Sequence, residues 1–151
     1  MNREPVMAAF RAPSAAEAFF NRAFGFLVGL GLGFPYNYLL QVRGRKSGKV
    51  YSTPIDLLER NGRRYLVAPR GLTQWVRNAE AAGEVTLKKG ARRLTFRLRP
   101  LSDAEKPEIL KAYLDTFRRE VQRYFPIPAG SPPEAFVPLT ASYPAFELLP
   151  K

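Results

Sequence analysis

Residues 50–68, VYSTPIDLLERNGRRYLVA, contain the local signals that decide the fold class. Asn61-Gly62 suits a two-residue hairpin, because both central positions of a type I′ turn need positive φ and these two residues accept it. Residues 64–68 (RYLVA) read as the returning strand, and residues 50–58 as the strand that enters the turn. Pro54 lies inside the entering strand and cannot donate to a ladder, which predicts an edge position or a bulge. A second hairpin joins residues 85–87 to residues 94–98 around Lys89-Gly90. There Leu94, Phe96 and Leu98 alternate with Thr95, Arg97 and Arg99, the period of a half-buried strand. Residues 36–42 and 143–149 supply further strands, and Gly44-Arg45-Lys46-Ser47-Gly48 is a turn by composition. Strands joined by hairpins, without βαβ alternation, predict an α+β protein with an antiparallel sheet or barrel of about six strands.

Helices fill the remaining stretches. Ser14 is placed to cap a helix that runs to about Gly25, after a loose arm over residues 1–12. Residues 73–82 carry helix formers and end at Gly83, a good C-terminal stop. Ser102 is placed to cap a helix over residues 103–124, with Pro107 as the point where it breaks. Residues 126–133 form a proline-rich loop, and a short helix is expected over 134–139. No repeat or low-complexity tract interrupts this order, so residues 1–151 read as one domain. Gly29, Gly31 and Gly33 imitate a phosphate loop, but no strand precedes them and the spacing is not G-x-G-x-x-G.

Two residue types are missing from the chain, His and Cys. Their absence excludes Ser-His-Asp triads, thiol nucleophiles, disulfide frameworks, zinc fingers and His-ligated haem, and no metal site is expected. Fourteen prolines, about twice the usual share, favour turns and strands over a helical bundle. The lack of disulfides favours a reducing cytoplasm. The apolar run FGFLVGLGLGF at residues 24–34 is eleven residues long, well short of the roughly 20 that span a bilayer. It reads as a buried or interfacial segment and is the candidate for contact with a membrane surface.

The charge is unevenly placed. The chain carries 24 Lys and Arg against 13 Asp and Glu, a net +11. Residues 43–99 hold 15 basic and 4 acidic residues, so the whole excess sits in this central stretch. A polyanionic partner is implied: a phosphorylated cofactor, a nucleic acid or an anionic membrane. The densest candidate is the Gly44–Gly48 turn, where backbone N–H groups, close-approach glycines and the cations Arg45 and Lys46 suit phosphate or carboxylate. A solvated hairpin tip is the alternative. The second candidate is Ala68-Pro69-Arg70-Gly71 with Gln74-Trp75-Val76-Arg77-Asn78, because a helix N-terminus attracts anions. For Trp75 the alternative is a core anchor.

The order Leu39-Leu40, Gly44–Gly48, Ser52-Thr53-Pro54, 64–71 (RYLVAPRG), Trp75-x-x-Asn78 and a closing Tyr143-Pro144-Ala145-Phe146-Glu147-Leu148 resembles the deazaflavin-dependent nitroreductase family over about residues 20–149. That resemblance implies a split β-barrel and hydride transfer from the reduced deazaflavin coenzyme F420 to a small organic acceptor: a nitro compound, quinone or enone. It implies that Arg45, Lys46 and Ser47 hold the cofactor's anionic tail. Tyr51, Ser52, Thr53, Pro54 and Val67, Ala68, Pro69, Arg70 would line its ring and ribityl chain, and Gln74, Trp75, Arg77 and Asn78 would close the site. Tyr51 and Tyr124 are the candidate contacts to substrate. The loop at 126–133 departs from the tyrosine-rich wall of the best-known nitroreductases, which argues against nitro-drug reduction. Two alternatives remain: FMN on the same barrel, and a basic barrel for single-stranded nucleic acid. The second is disfavoured by the few aromatics among the cations.

Overall fold

The computed structural model describes residues 34–151. The expected arm at 1–12, the helix at 14–25 and all of the apolar run before Phe34 lie outside the described residues. The chain divides into two compact units. One, the turn-bearing unit, contains residues 34–57, Gln74–Arg99 and Leu148–Lys151; the other, the helical unit, contains Leu58–Thr73 and Pro100–Glu147.

The turn-bearing unit is built on strands β1 (Asn37–Arg43) and β2 (Val50–Asp56), helix α1 (Gln74–Ala82), and strands β5 (Glu84–Lys89) and β6 (Arg92–Pro100). Its antiparallel order is β2–β1–β5–β6. Alternation gives the layer two unlike faces. Leu40, Val42, Val85, Leu87 and Phe96 are buried, and Leu40 and Leu94 both pair with Leu87 across the ladders. The opposite face carries a polar row, Ser52–Gln41–Thr86–Thr95, in register over four strands. Within it the Thr86 and Thr95 hydroxyls are 2.9 Å apart. Helix α1 packs on β1 and β5 and buries Val76, Asn78 and Ala79. Gly83 stops it with φ of +74°, as its sequence position predicts.

In the helical unit, β3 (Leu58–Arg60) and β4 (Arg63–Val67) close the Asn61-Gly62 hairpin, with φ of +53° and +77° at the two turn residues. These are the signs a type I′ turn requires. The strand order is β7–β4–β3, where β7 is Ala145–Pro150 and its residues 145–147 belong to this unit. Helices α2 (Lys106–Thr116) and α3 (Arg118–Val121) and 3-10 segments Gln122–Tyr124 and Pro133–Ser142 complete it. The core is aromatic: Phe125 stacks on Tyr143 at 4.5 Å and meets Phe136 edge-on at 6.3 Å.

Four expectations are corrected. The described residues hold seven strands rather than about six, because the stretch 50–58 is two strands. The pairing changes at Leu57: residues 50–56 pair with β1, Leu58–Arg60 pair with β4, and Leu57 and Leu58 are both buried. The long helix begins at Lys106 rather than Asp103. Ser102 and Glu105 instead form a reciprocal cap, Ser102 N–H to Glu105 Oε1 at 2.8 Å and Glu105 N–H to Ser102 Oγ at 3.3 Å. Pro107 opens the helix rather than breaking it, as a proline in the first turn does. The break comes at Phe117, whose φ of −111° leaves the helical region while its ring is buried. Near the C-terminus, Pro133 and Pro138 make the segment 133–142 a 3-10 helix, since Pro138 has no N–H for an α-helical bond.

Candidate functional site

The Gly44–Gly48 turn is closed at its base by Gly44 N–H to Lys49 O (2.6 Å) and Gly48 N–H to Gly44 O (3.0 Å). Gly48 has φ of +76°, a conformation glycine takes at no steric cost. Arg43 Nη1 donates to Gly48 O at 2.8 Å, so this cation braces the turn. The Ser47 hydroxyl accepts from Lys49 N–H at 3.1 Å and lies 3.2 Å from Tyr51 Oη. The Tyr51 ring covers Gly44: a Cβ there would sit 2.6 Å from Tyr51 Cε2, so only glycine fits without moving the ring.

Helix α1 holds the turn from the side. Gln74 and Asn78 lie one helical turn apart and so share a face. Asn78 Oδ1 accepts from the Arg45 backbone N–H (3.1 Å) and from Arg45 Nη1 (2.7 Å); Gln74 Oε1 accepts from the same Nη1 at 3.1 Å. Two donors facing it fix the Asn78 carbonyl toward Arg45, so its Nδ2 amine faces the other way. The N–H groups of Lys46 and Ser47 and the Lys46 ammonium have no partner among the described residues. Thr73 Oγ1, in the residue that precedes α1, is buried with no hydrogen-bond partner among the described residues.

The electrostatics follow the division into units. The described residues of the turn-bearing unit carry twelve Lys and Arg against three Asp and Glu, whereas those of the helical unit carry nine against eight. At the far end of the strands from the turn, Lys89 Nζ donates to the Phe34 and Pro35 carbonyls at 2.8 and 2.7 Å and lies over the Tyr38 ring. Burial there lowers its pKa from the ordinary lysine value.

The sequence-derived residues thus fall into two sets. Arg45, Lys46, Ser47 and Tyr51 meet in the turn, and Gln74 and Asn78 meet the turn from α1. Trp75 is half-buried and Arg77 exposed on the same helix, while Ser52, Thr53 and Pro54 stand on β2 opposite Gln41, Leu40 and Leu39. Val67, Ala68, Pro69, Arg70 and Tyr124 belong to the helical unit. In that unit Ala68 N–H donates to Pro144 O at 2.9 Å, and Tyr124 O accepts the Tyr143 hydroxyl. Sequence reasoning passed over Gly44 as a packing surface and Lys49 as the turn's closing residue. The tyrosine seven residues after Gly44 gave no local signal of that contact.

Comparison with known proteins bears on what such a turn holds. The model of the family described as F420H(2)-dependent quinone reductase matches residues 16–124, well over half of the chain. The chain belongs to that family. It is accordingly an oxidoreductase of the F420-dependent quinone reductase family. No curated protein matches. Among solved structures, an F420-H2 dependent reductase (FDR-A) is 21% identical, with 76% of this chain and 94% of that chain covered and a TM-score of 0.52. A protein described as a domain-swapped dimer is 21% identical over 88% of this chain and 92% of its own, with a TM-score of 0.54. A NimC/NimA family protein from Clostridium acetobutylicum is 14% identical over 84% of this chain and 79% of its own, with a TM-score of 0.53. At these identities the likeness concerns the fold, and the fold is the antiparallel split β-barrel expected above. Among the described residues no helix is long and apolar enough to cross a membrane.

Proposed function

We propose that this quinone reductase family member binds F420 through the turn-bearing unit and reduces a quinone, in preference to a nitro compound. The observation that carries this reading is the Gly44–Gly48 turn, clamped on α1 by Arg45 and presenting unpartnered donors. The donor set suits the group. Phosphate and glutamate carboxylates call for N–H donors and ammonium groups, which the Lys46 ammonium and the N–H groups of Lys46 and Ser47 supply. The twelve-to-three charge balance of the unit draws such a polyanion in.

The reduced deazaflavin supplies the hydride when bound, and a chain without His or Cys needs no nucleophile of its own. The protein's part is binding and orientation. Lys46 and the turn N–H groups anchor the anionic end, and Thr73 Oγ1 and Trp75 stand at the start of the neighbouring helix. We assign Tyr51 to the cofactor side, because its ring lies on Gly44 and its hydroxyl on Ser47. Val67, Ala68, Pro69 and Arg70 are offered as contacts to the ring and Tyr124 as a contact to the acceptor, with the membrane-surface role assigned to the apolar stretch before Phe34.

The test is spectroscopic titration followed by turnover. The purified protein should take up one equivalent of F420 and oxidise the reduced form when a soluble quinone is added. Uptake of FMN with exclusion of F420 would move the reading to the flavin alternative. Tight binding of single-stranded DNA at physiological salt, falling steeply as salt rises and without cofactor uptake, would move it to the nucleic-acid one.

A further inference from the structure

The turn's two central cations are in different situations, although they are adjacent in sequence and similar in charge. Both hydrogens of Arg45 Nη1 are engaged by α1, one on Gln74 Oε1 and one on Asn78 Oδ1, and its backbone N–H is held by the same Asn78 oxygen. Asn78 is only 6% exposed, so an unpaired oxygen there would be costly and the contact persists. Lys46 is exposed and has no acceptor among the described residues. We propose that Arg45 and Asn78 are positioning residues which lock the turn on α1, so that of the two adjacent cations only Lys46 is left for the anionic group that the proposed function assigns to it.

This division of labour rests on the F420 reading for its ligand, but not for its geometry. Arg45 anchors the turn through a planar fork that reaches two acceptors, which a lysine cannot imitate. With the peptide of Arg45 fixed, the next two N–H groups are presented together, and the ammonium of Lys46 completes the donor set beside them. Asn78 contributes its oxygen inward to the clamp and leaves its Nδ2 unpartnered.

Two measurements on the full-length protein decide the matter. The first needs no cofactor: limited trypsin digestion of wild type, Asn78→Ala and Asn78→Asp, with cleavage after Lys46 followed by mass spectrometry. Cleavage that tracks local opening should rise at least about fivefold in Asn78→Ala, the response to roughly 1 kcal/mol of lost closure. Asn78→Asp keeps an acceptor for both Arg45 donors and should be cleaved at the wild-type rate. The second is F420 titration at low and high ionic strength. Arg45→Lys keeps the charge but loses the fork, and should weaken binding by a similar factor at both salts. Lys46→Gln should weaken it strongly at low salt and little at high salt. Wild-type cleavage of Asn78→Ala, or wild-type affinity of Arg45→Lys, overturns the proposal. If the wild type takes up no F420, the proposed function falls, and the cleavage rates alone judge the clamp.

Discussion

The buried side-chain oxygen of Asn78 accepts two hydrogen bonds from Arg45, one from its backbone at 3.1 Å and one from its guanidinium at 2.7 Å, across 33 residues of sequence. This contact joins a polar turn between β1 and β2 to the second turn of α1, and so makes one candidate site from two segments that looked separate. Its chemistry explains why an asparagine is buried in a helix whose other buried residues are Val76 and Ala79.

The first expectation concerns Lys46. If its ammonium meets a cofactor charge, Lys46→Ala should weaken F420 binding by about 1–3 kcal/mol at low salt, the range for a charge-assisted bond. The melting temperature should stay where it is, since the side chain is exposed and bonds to none of the described residues. Fluorescence titration and a thermal melt check the two halves; unchanged affinity returns the turn to a solvated tip.

Gly44 gives a test of the Tyr51 contact. Alanine at this position would meet the Tyr51 ring at 2.6 Å, and the ring, 50% exposed, has room to swing out. The expected cost to stability is therefore small, about 1 kcal/mol for the disturbed Ser47–Tyr51 bond and its packing. Cofactor affinity should fall further than stability does, because the turn loses its cover. A Gly44→Ala variant that unfolds at much lower urea would show the glycine to be a core requirement instead.

Trp75, half-buried beside Gln74, lies between the site and core alternatives. Trp75→Phe should lower F420 affinity by roughly 0.5–1.5 kcal/mol, typical of an aromatic contact, with little change in melting temperature. A drop of several degrees with affinity intact would assign the ring to packing.

Asp115 fastens the proline-rich loop to α2. Its Oδ1 accepts from Gly130 N–H at 2.7 Å and its Oδ2 from Lys111 Nζ at 2.9 Å; Lys111 also donates to Ser131 O at 2.9 Å. Burial alone would raise the Asp115 pKa, but the hydrogen bonds from Lys111 and Gly130 and the charges of Lys111 and Arg118 outweigh it, and the net shift is downward from 3.8. A depressed carboxyl stabilises the fold fully above its unfolded value and loses that contribution as pH falls through the folded one. Asp115→Asn should therefore cost about 1 kcal/mol at neutral pH. The gap from wild type should close in acid, below pH 3.8. Urea unfolding at both pH values measures it; a gap that persists in acid would assign the effect to shape rather than charge.

Much of this protein was legible along the chain because its deciding features are local. Asn61-Gly62 dictated its own turn by the φ it demands, Gly83 stopped α1, and alternation from Leu94 to Arg99 marked a strand, in which Phe96 is buried while Leu94 is 42% exposed. The residue types alone excluded His and Cys chemistry, and the clustered cations pointed to a polyanionic partner without choosing among cofactor, nucleic acid and membrane. What needed the tertiary structure was every relation between segments that are distant in sequence. The stretch 50–58 is two strands because residues 50–56 pair with β1 and Leu58–Arg60 with β4, and no period within residues 50–58 records that. Phe117 ends α2 because its ring is taken by the aromatic core. Arg45 reads in the sequence as one more cation in a basic turn; only the approach of Asn78 makes it a clamp, because hydrogen bonds act over about 3 Å of space, a distance to which folding alone brings residues 45 and 78.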